Sequence, residues 1–580
     1  MKIIFVTGWV LSGIGKGISA AAIGALLKWA GKSVFCQKFD GYLNVDPGTM
    51  NPTQHGEVFV TRDGAETDLD IGHYERFLDT DMNRFSSYTS GKLYEEVIMK
   101  ERRGDYLGGT VQIVPHLTNL VKEKIRLWYE SADADVSIIE IGGTVGDMEN
   151  EYILESARQL QHDLGHENVI FVHVALLPYL GASKELKTKP IQHSVRTLMS
   201  YGLSPDFLIV RADAPIPEDT LTKIAHATGL SSSHVIPAPT LDSIYRVPLS
   251  FHTYEFWEKI LSSLHLPETH PDMSKWEDLL ANIDASKDIL RIAMVGKYVG
   301  LEDAYYSLNE WIKCAWFALQ KKVKLEFIEA EDIEKEVWEM RDKWWESKKE
   351  SNTQILQPSS IPLLEGFDGI CIPWGFGTRG TEGMIATAKY ARERNIPYLG
   401  ICLGSQIMAI EYARSVLGIM DASSEEFTPE GLHNIIHIME HQKWLTTKWA
   451  NMRLGTYECI IREGTLAQRV YQSFRYSELA KNPDIWNIKH GSFIHHDDKI
   501  NTVSERHRHR FEFNPLYRDQ MEEAGFIVSA TSPDGTLAEI VELRDHPYMI
   551  ATQAHPELIS RPSHPHPLFM GFISAMTASV

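Results

Sequence analysis

The strongest constraint on this chain sits at its start. Residues 3–7 form a short apolar run that breaks at a glycine-rich loop, Ser12-Gly13-Ile14-Gly15-Lys16-Gly17. The pattern then predicts a helix over 19–30, stopped by Gly31, and a second strand over 33–39. Strand, glycine loop, helix and strand make a βαβ unit, whose strands run parallel because the helical crossover carries the chain back to its starting end. A parallel sheet is covered on both faces, so its strands are continuous apolar runs. Residues 136–141, 169–177 and 207–210 are such runs. An α/β domain with a parallel sheet is therefore expected here.

The chain is too long for one such core. Its 580 residues exceed the roughly 250–300 at which single domains stop growing. A second α/β series begins at 289–295 and continues through 367–373 and 396–401. Between the two series, 266–287 is polar, carries prolines and lacks a strong period, so it reads as a linker. The expected organisation is a domain over 1–265, the linker, and a domain over 288–580 with a polar surface insertion at 341–360. The fold class is α/β with two parallel-sheet domains.

A net charge of −21 repels nucleic acid and anionic membrane, so a phosphate ligand needs a local cluster of Lys and Gly. Cys36, Cys314, Cys371, Cys402 and Cys459 are scattered and form no CxxC. They point to a reducing compartment, the cytoplasm, rather than to a disulfide framework or a zinc site. No apolar run reaches the ~18 residues of a membrane span, and the early glycine loop does not suit a signal peptide.

Chemistry in the second half starts at Gly400-Ile401-Cys402-Leu403-Gly404-Ser405-Gln406, which closes a strand and opens a helix. A cysteine between glycines at such a turn suits a nucleophile elbow: the glycines permit the tight turn, and the helix N-terminus favours a thiolate. A lone buried cysteine is more often a packing residue. His555-Pro556-Glu557 tips the balance, since His can take the thiol proton and Glu can orient the imidazolium. Pro373-Trp374-Gly375-Phe376-Gly377 offers backbone amides for an oxyanion hole. His433, His437 and His441 are spaced like a metal face on a helix, but the intervening Ile435, Ile436, Ile438 and Met439 fit a strand, and the metal reading is set aside.

These pieces resemble the class I glutamine amidotransferase domain, in which a cysteine attacks the glutamine amide, forms a thioester and releases ammonia. The resemblance implies Cys402 as nucleophile, His555 as base and Glu557 as its orienter. It further implies Gly375 and Leu403 as oxyanion amides, with Gln406, Glu426 and Arg508 holding the substrate.

In the first half, Gly8 to Ile18 looks like a phosphate loop but departs from the Walker pattern at Val10 and Gly17. Lys16 and Lys38 are placed to neutralise phosphates. Asp70 in Asp68-Leu69-Asp70 and Glu140 at a strand end are the acids for Mg²⁺, which is usually held by carboxylates and substrate phosphates. Lys187 and Lys189 in KTKPIQ, with Lys223, make a basic cluster for a second triphosphate.

Longer words are also present in order, among them LNVDPGTMNPTQHGEVFVTRDGAETDLDIGHYERF, KERRGDYLGGTVQIVPH, IEIGGTVGDMENE, KTKPIQHSVRTL, YLGICLG, MRLG and ERHRHRFEFNP. From end to end the chain resembles the CTP synthase family, a P-loop-like amidoligase domain fused to a glutaminase. Members use ATP to phosphorylate the 4-oxygen of UTP, and ammonia then displaces the phosphate. The resemblance implies ATP contacts at Gly13, Ile14, Gly15, Lys16, Gly17, Ile18, Lys38 and Asp70, with Mg²⁺ on Asp70 and Glu140. UTP falls to Ser12, Lys187, Thr188, Lys189, Pro190, Ile191, Gln192 and Lys223; Asp147, Met148 and Glu149 read the product CTP, a feedback inhibitor. GTP as allosteric activator and a homotetramer that stacks into filaments are implied as well.

The chain departs from the family pattern at Trp9, Gly41, Pro239, Trp374, Ser405 and Ala554, and at Ala450-Asn451 before MRLG. Two alternatives therefore stay in view. One is another glutamine-dependent ATP amidoligase, which would not need KTKPIQ. The other is a catalytically weak paralogue with an assembly role, for which Trp9, Trp374 and Ser405 speak. The intact triad, Mg²⁺ acids and lysines favour a working enzyme.

Overall fold

Ile3–Trp9 lies between Val136–Ile141 and Val169–Leu176 in a seven-stranded sheet. From edge to edge the order is Val235–Pro239, Phe207–Ala212, Val169–Leu176, Ile3–Trp9, Val136–Ile141, Val34–Asp40 and Ser87–Thr89. Every pairing is parallel. The chain builds outward from Ile3–Trp9 first on one side and later on the other, and such a reversal opens a crevice at the carboxyl ends of the strands. Helix Lys16–Trp29 can lie close to the sheet because its inner face is small: Ala20, Ala21, Ala22, Gly24 and Ala25 are all buried. The computed structural model describes all residues except 10–12, 183, 288, 351–360, 440–451, 480–500 and 579–580.

The chain divides into two units, Met1–Thr49 with Thr67–Leu280, and Met50–Glu66 with Ala281–Val580. Two differences from the sequence reading follow. Residues 50–66, expected in the first domain, belong to the second unit, where Ser307 N donates to Glu57 Oε2 (2.8 Å) and Arg506 to the Val60 carbonyl (3.2 Å). The segment expected as a linker contains helix Ser274–Ala285. Its short apolar stripe, Trp276, Leu279 and Leu280, is buried, at the i, i+3, i+4 spacing of one helical face. Trp276 packs tilted against Trp29 (4.9 Å between centroids) and donates to the Tyr245 carbonyl at 2.7 Å. Three residues in a polar context are too few to register as a period.

The second unit holds a nine-stranded sheet ordered Lys322–Glu329, Ile289–Gly296, Gly369–Ile372, Tyr398–Ile401, Met549–Thr552, Ala538–Leu543, Phe526–Thr531, Arg453–Ile461 and Thr502–His509. The first five strands are parallel. The rest are antiparallel, so the second sheet is mixed, with a parallel half first and an antiparallel half after it. The connections at 532–537 and 544–548 are too short for a crossover and must be hairpins. Ser532-Pro533-Asp534-Gly535 carries the turn chemistry: Gly535 has φ 76°, and Asp534 Oδ1 accepts from Thr536 N at 3.1 Å. Helix Ala330–Glu350 runs through the first part of the expected surface insertion, and 351–360 lie outside the described residues. Among the described residues no helix is long and apolar enough to cross a membrane.

Candidate functional site

In the second unit the strand Tyr398–Ile401 ends at Cys402, which has φ 54° and ψ −100° and begins helix Leu403–Ser415. A positive φ at a residue with a side chain is strained and persists only where its surroundings enforce it. Here the enforcement is visible. A Cβ at Gly404 would sit 2.1 Å from the Ile372 carbonyl oxygen, and one at Gly400 would sit 2.6 Å from the Gly404 oxygen. Both glycines flanking the cysteine are thus required by close backbone approach, and Cys402 N is fixed to the Thr552 carbonyl at 2.8 Å.

Strand Met549–Thr552 delivers His555 and Glu557 beside it. His555 Nδ1 and Glu557 Oε1 are 2.6 Å apart, both side chains buried. Among the described residues the buried His555 Nε2 and Glu557 Oε2 have no hydrogen-bond partner. Burial opposes charge on the ring, but Glu557 and then Cys402 outweigh it and raise the His555 pKa to about 10.

The remaining sequence-predicted residues of this half are each held by identifiable neighbours. Gly375 lies against Leu403, whose side chain would be 3.1 Å from a Cβ there. Leu403 is the first helical residue, so its N–H has no acceptor within the helix. Gln406 Nε2 donates to the Phe511 carbonyl and to Gln553 Oε1, each at 3.2 Å. Glu426 accepts from Gly377 N at 2.7 Å, and burial raises its pKa. Arg508 pairs with Glu66 at 2.8 Å, a partner from the 50–66 segment that the sequence did not suggest. Lys297 was also missed: it donates to the Phe376 and Gly377 carbonyls, and burial lowers its pKa to about 8.

The unusual residues of this half have ordinary places. Trp374 is buried in an aromatic cluster, 5.2 Å from Tyr305 and 5.8 Å from Tyr298. Ser405 N bonds the Cys402 carbonyl, Ala554 is fully buried, and Ala450-Asn451 lie outside the described residues. His433 pairs with Asp421 ahead of strand Asn434–Ile438, which contains His437; His441 lies outside the described residues. Among the described residues Cys459, His507 and Glu539 come close enough to share a cation. Arg453 already bonds both Glu539 oxygens, at 2.9 and 3.4 Å.

In the first unit, Gly13 (φ 74°) and Gly15 (φ 92°) turn the loop, and Gly15 caps helix Lys16–Trp29 without a side-chain acceptor or an acidic first turn. Free N–H groups at a helix start attract anions. Gly17, the departure from the Walker pattern, has a local reason: a Cβ there would fall 2.0 Å from Asp70 Oδ1. Ile14 is buried, and its carbonyl accepts from Arg211 Nε at 3.2 Å. A cavity of about 140 Å³ opens beside Gly15, Ile18, Arg211, Pro239 and Phe251. Trp9 packs partly buried against the core of this unit.

At the carboxyl ends of the strands sits a buried charge cluster. Lys38 Nζ reaches Asp40 (3.4 Å), Asp68 (2.9 Å) and Asp70 (2.5 Å). Glu140 lies opposite Lys38 in register and accepts from the Tyr74 hydroxyl. Lys16 donates to the Gly143 carbonyl at 2.5 Å, and burial lowers its pKa. Burial raises Glu140 to about 8 and Asp40 to about 7, and it raises Asp70 as well. Asp40 and Asp68 were not singled out by sequence, although each stands two residues from one that was.

The basic cluster is spread over two helices. Thr188 precedes helix Lys189–Ser200 and accepts from Gln192 Nε2 at 3.3 Å; Lys187 pairs with Glu185. Lys189 and Lys223 are exposed, Pro190 sits in the first helical turn, and the Ile191 side chain belongs to the apolar core. Asp147, Met148 and Glu149 form an exposed turn in which Asp147 Oδ2 accepts from Thr144 N at 2.7 Å. Ser12 lies outside the described residues.

Comparison with known proteins places these features in context. Residues 2–266 match the family model "CTP synthase N-terminus", and residues 302–575 match "Glutamine amidotransferase class-I". The chain is 46% identical over 574 residues to a CTP synthase of Halalkalibacterium halodurans, covering 99% of each chain. It is 47% identical to that of Bacillus subtilis, over 99% of this chain and 98% of the relative. Among solved structures it is similar to the Trypanosoma brucei CTPS glutaminase domain with bound acivicin, at 32% identity and a TM-score of 0.39 over 50% of this chain and 94% of that one.

Proposed function

The chain belongs to the CTP synthase family, glutamine-hydrolysing ligases of pyrimidine biosynthesis that aminate UTP to CTP, and from that membership we propose that its two sites divide the reaction between them. The second makes ammonia and the first activates UTP to receive it. The functional boundary follows the two units, with residues 50–66 reaching from the synthetase half of the sequence into the glutaminase.

In the glutaminase, Cys402 Sγ attacks the carboxamide carbon of glutamine, and its proton passes through His555 to the departing ammonia. Glu557 orients the ring and stabilises its charged form. The amides of Gly375 and Leu403 receive the developing oxyanion. With both Gln406 amide hydrogens engaged, its Oε1 is left to accept from the substrate's α-ammonium group. Glu426 and Arg508 complete the contacts.

In the synthetase, the N–H groups from Gly13 to Ile18 and the ammonium groups of Lys16 and Lys38 hold the ATP phosphates. The cavity beside Gly15 and Arg211 takes the nucleoside end. Asp70 and Glu140 fit Mg²⁺. Among the described residues the cluster sets four carboxylates (Asp40, Asp68, Asp70, Glu140) against two lysines, and Asp40 Oδ2 is buried without a partner. Bound there, Mg²⁺ would neutralise phosphate oxygens during phosphoryl transfer. Ser12, Lys187, Thr188, Lys189, Gln192 and Lys223 hold UTP, and 147–149 read CTP. The Ile191 side chain packs the helix behind this site. Activation by GTP, a homotetramer that stacks into filaments, and a cytoplasmic location belong to the same reading.

The observation that carries it is Cys402, held at positive φ between two glycines and beside the His555–Glu557 pair. The test is CTP formation from UTP, ATP and Mg²⁺, followed by absorbance, with either glutamine or ammonium as donor. Both donors should work. Activity with ammonium alone would overturn the glutaminase assignment, and activity with neither would overturn both.

A further inference from the structure

Gln553 stands two residues before His555, just past strand Met549–Thr552, and the catalytic scheme gives it no task. It is 3% exposed. Its amide is oriented from a distance, because Gln406 Nε2 donates to the Phe511 carbonyl and also to Gln553 Oε1. With its oxygen so engaged, Gln553 turns an N–H toward the Cys402 sulfur, 3.6 Å away. On another side that sulfur faces the Arg508 carbonyl at 3.9 Å. A carbonyl accepts from a thiol and repels a thiolate, whereas an amide N–H does the reverse, and hydrogen bonds to an ionised acceptor are the stronger kind.

We infer that Gln553 is a positioning residue for glutamine hydrolysis, its N–H favouring and aiming the Cys402 thiolate while Gln406 locks its amide the right way round. The inference rests on Cys402 being the nucleophile. When the thiol ionises, its proton goes to His555 Nε2, and the sulfur's new charge falls on the Gln553 N–H. The charged and titratable groups around the sulfur are His555 with Glu557 behind it, Arg508 with its guanidinium on Glu66, and His507 and His509 beyond His555. Among the described residues none of these groups offers the sulfur a neutral amide N–H, so Gln553 has a part that they do not duplicate.

The test is alkylation of Cys402 by iodoacetamide in the full chain, read by mass at that residue across neutral and alkaline pH. Gln553→Leu should be alkylated about tenfold more slowly near pH 7, the size expected for losing one hydrogen bond to a charged group. The gap should close at alkaline pH, where the thiolate forms without help. Gln553→Glu keeps the shape but brings a carboxylate toward the sulfur and should be slower still. In both variants kcat with glutamine should fall with little change in KM, and ammonium-dependent synthesis should persist as evidence of a folded chain. A wild-type alkylation rate near pH 7, or a deficit equal at every pH, would overturn the inference. Cys402→Ala runs in parallel: glutamine-dependent synthesis surviving there defeats the nucleophile assignment itself. A dead Cys402→Ala beside a wild-type-like Gln553→Leu defeats only the role of Gln553.

Discussion

The two sites handle charge in opposite ways. In the first unit Lys38 is clamped by Asp40, Asp68 and Asp70 with Glu140 opposite, and burial raises the proton affinity of those acids. In the second, the reacting sulfur meets a neutral amide and a carbonyl, has the single ion pair His555–Glu557 beside it, and rests on a backbone fixed by Gly400 and Gly404. A site for a triphosphate and a divalent cation is built from charges that become balanced only when ligands arrive. A site for covalent attack is set in advance by the backbone, which costs no reorganisation when charge develops.

The largest effect should come from severing the two. Cys402→Ala should abolish glutamine-dependent CTP formation, by a factor on the order of 10⁴–10⁶, and leave ammonium-dependent formation intact at alkaline pH, where NH₃ is free. His555→Ala should behave in the same way. Cys36, Cys314, Cys371 and Cys459 should tolerate replacement apart from packing losses, since all are buried and none has a part in the scheme. Loss of the ammonium reaction in a folded Cys402→Ala would show that the sites are not separable.

Glu557→Gln should come next, at about 10³–10⁴-fold in the glutamine reaction. It also carries a pH signature. The His555 pKa is raised from its ordinary 6.5 to about 10. The favourable charge on the ring is therefore complete below about 6.5 and is lost as pH climbs through 10. Glu557 is the strongest of the groups that raise it, so the variant should lose its glutamine-to-ammonium rate ratio at a lower pH than the wild type. An unmoved alkaline limb would mean that Glu557 does not set the charge.

Glu140→Gln should cost on the order of 10²-fold or more with both donors, because activation of UTP precedes amination whatever supplies the nitrogen. Chelation of Mg²⁺ should reproduce it. Near-normal ammonium activity in Glu140→Gln would remove Glu140 from the metal site.

The same contrast governs how much was legible in the sequence. The elbow could be read at once, because the glycines around Cys402 are a local necessity and His555-Pro556-Glu557 is contiguous. The parallel sheet was equally plain from the unbroken apolar strands. What escaped depended on long-range approach. Glu66 meets Arg508, and Gln406 orients Gln553, across separations that no spacing rule reaches. Asp40 and Asp68 were within reach, two residues from Lys38 and Asp70, but only the fold collects them around one ammonium group. The antiparallel half of the second sheet had its signal too, in Ser532-Pro533-Asp534-Gly535, outweighed by the parallel series before it. Helix Ser274–Ala285 had only a three-residue stripe to announce it.

The smallest predicted effect sharpens the charged site's division between substrate and product. Gly41 follows Asp40, and a Cβ there would fall 2.9 Å from Glu149 Cβ and 3.5 Å from its carbonyl. The obstacle is the base of the side chain and the backbone rather than a flexible tip, so Gly41→Ala must displace the turn that holds Glu149. Lys187 and Lys189 sit on a separate element at the head of helix Lys189–Ser200 and should not feel it. Gly41→Ala should therefore raise the CTP concentration needed for half-inhibition about two- to five-fold, a cost under 1 kcal/mol, with the UTP requirement unchanged. Glu149→Ala should move CTP in the same direction and further. Initial-rate titrations of both nucleotides decide the matter: equal shifts for UTP and CTP would place Glu149 in the site the two share, and the separate reading of the product by 147–149 would fall.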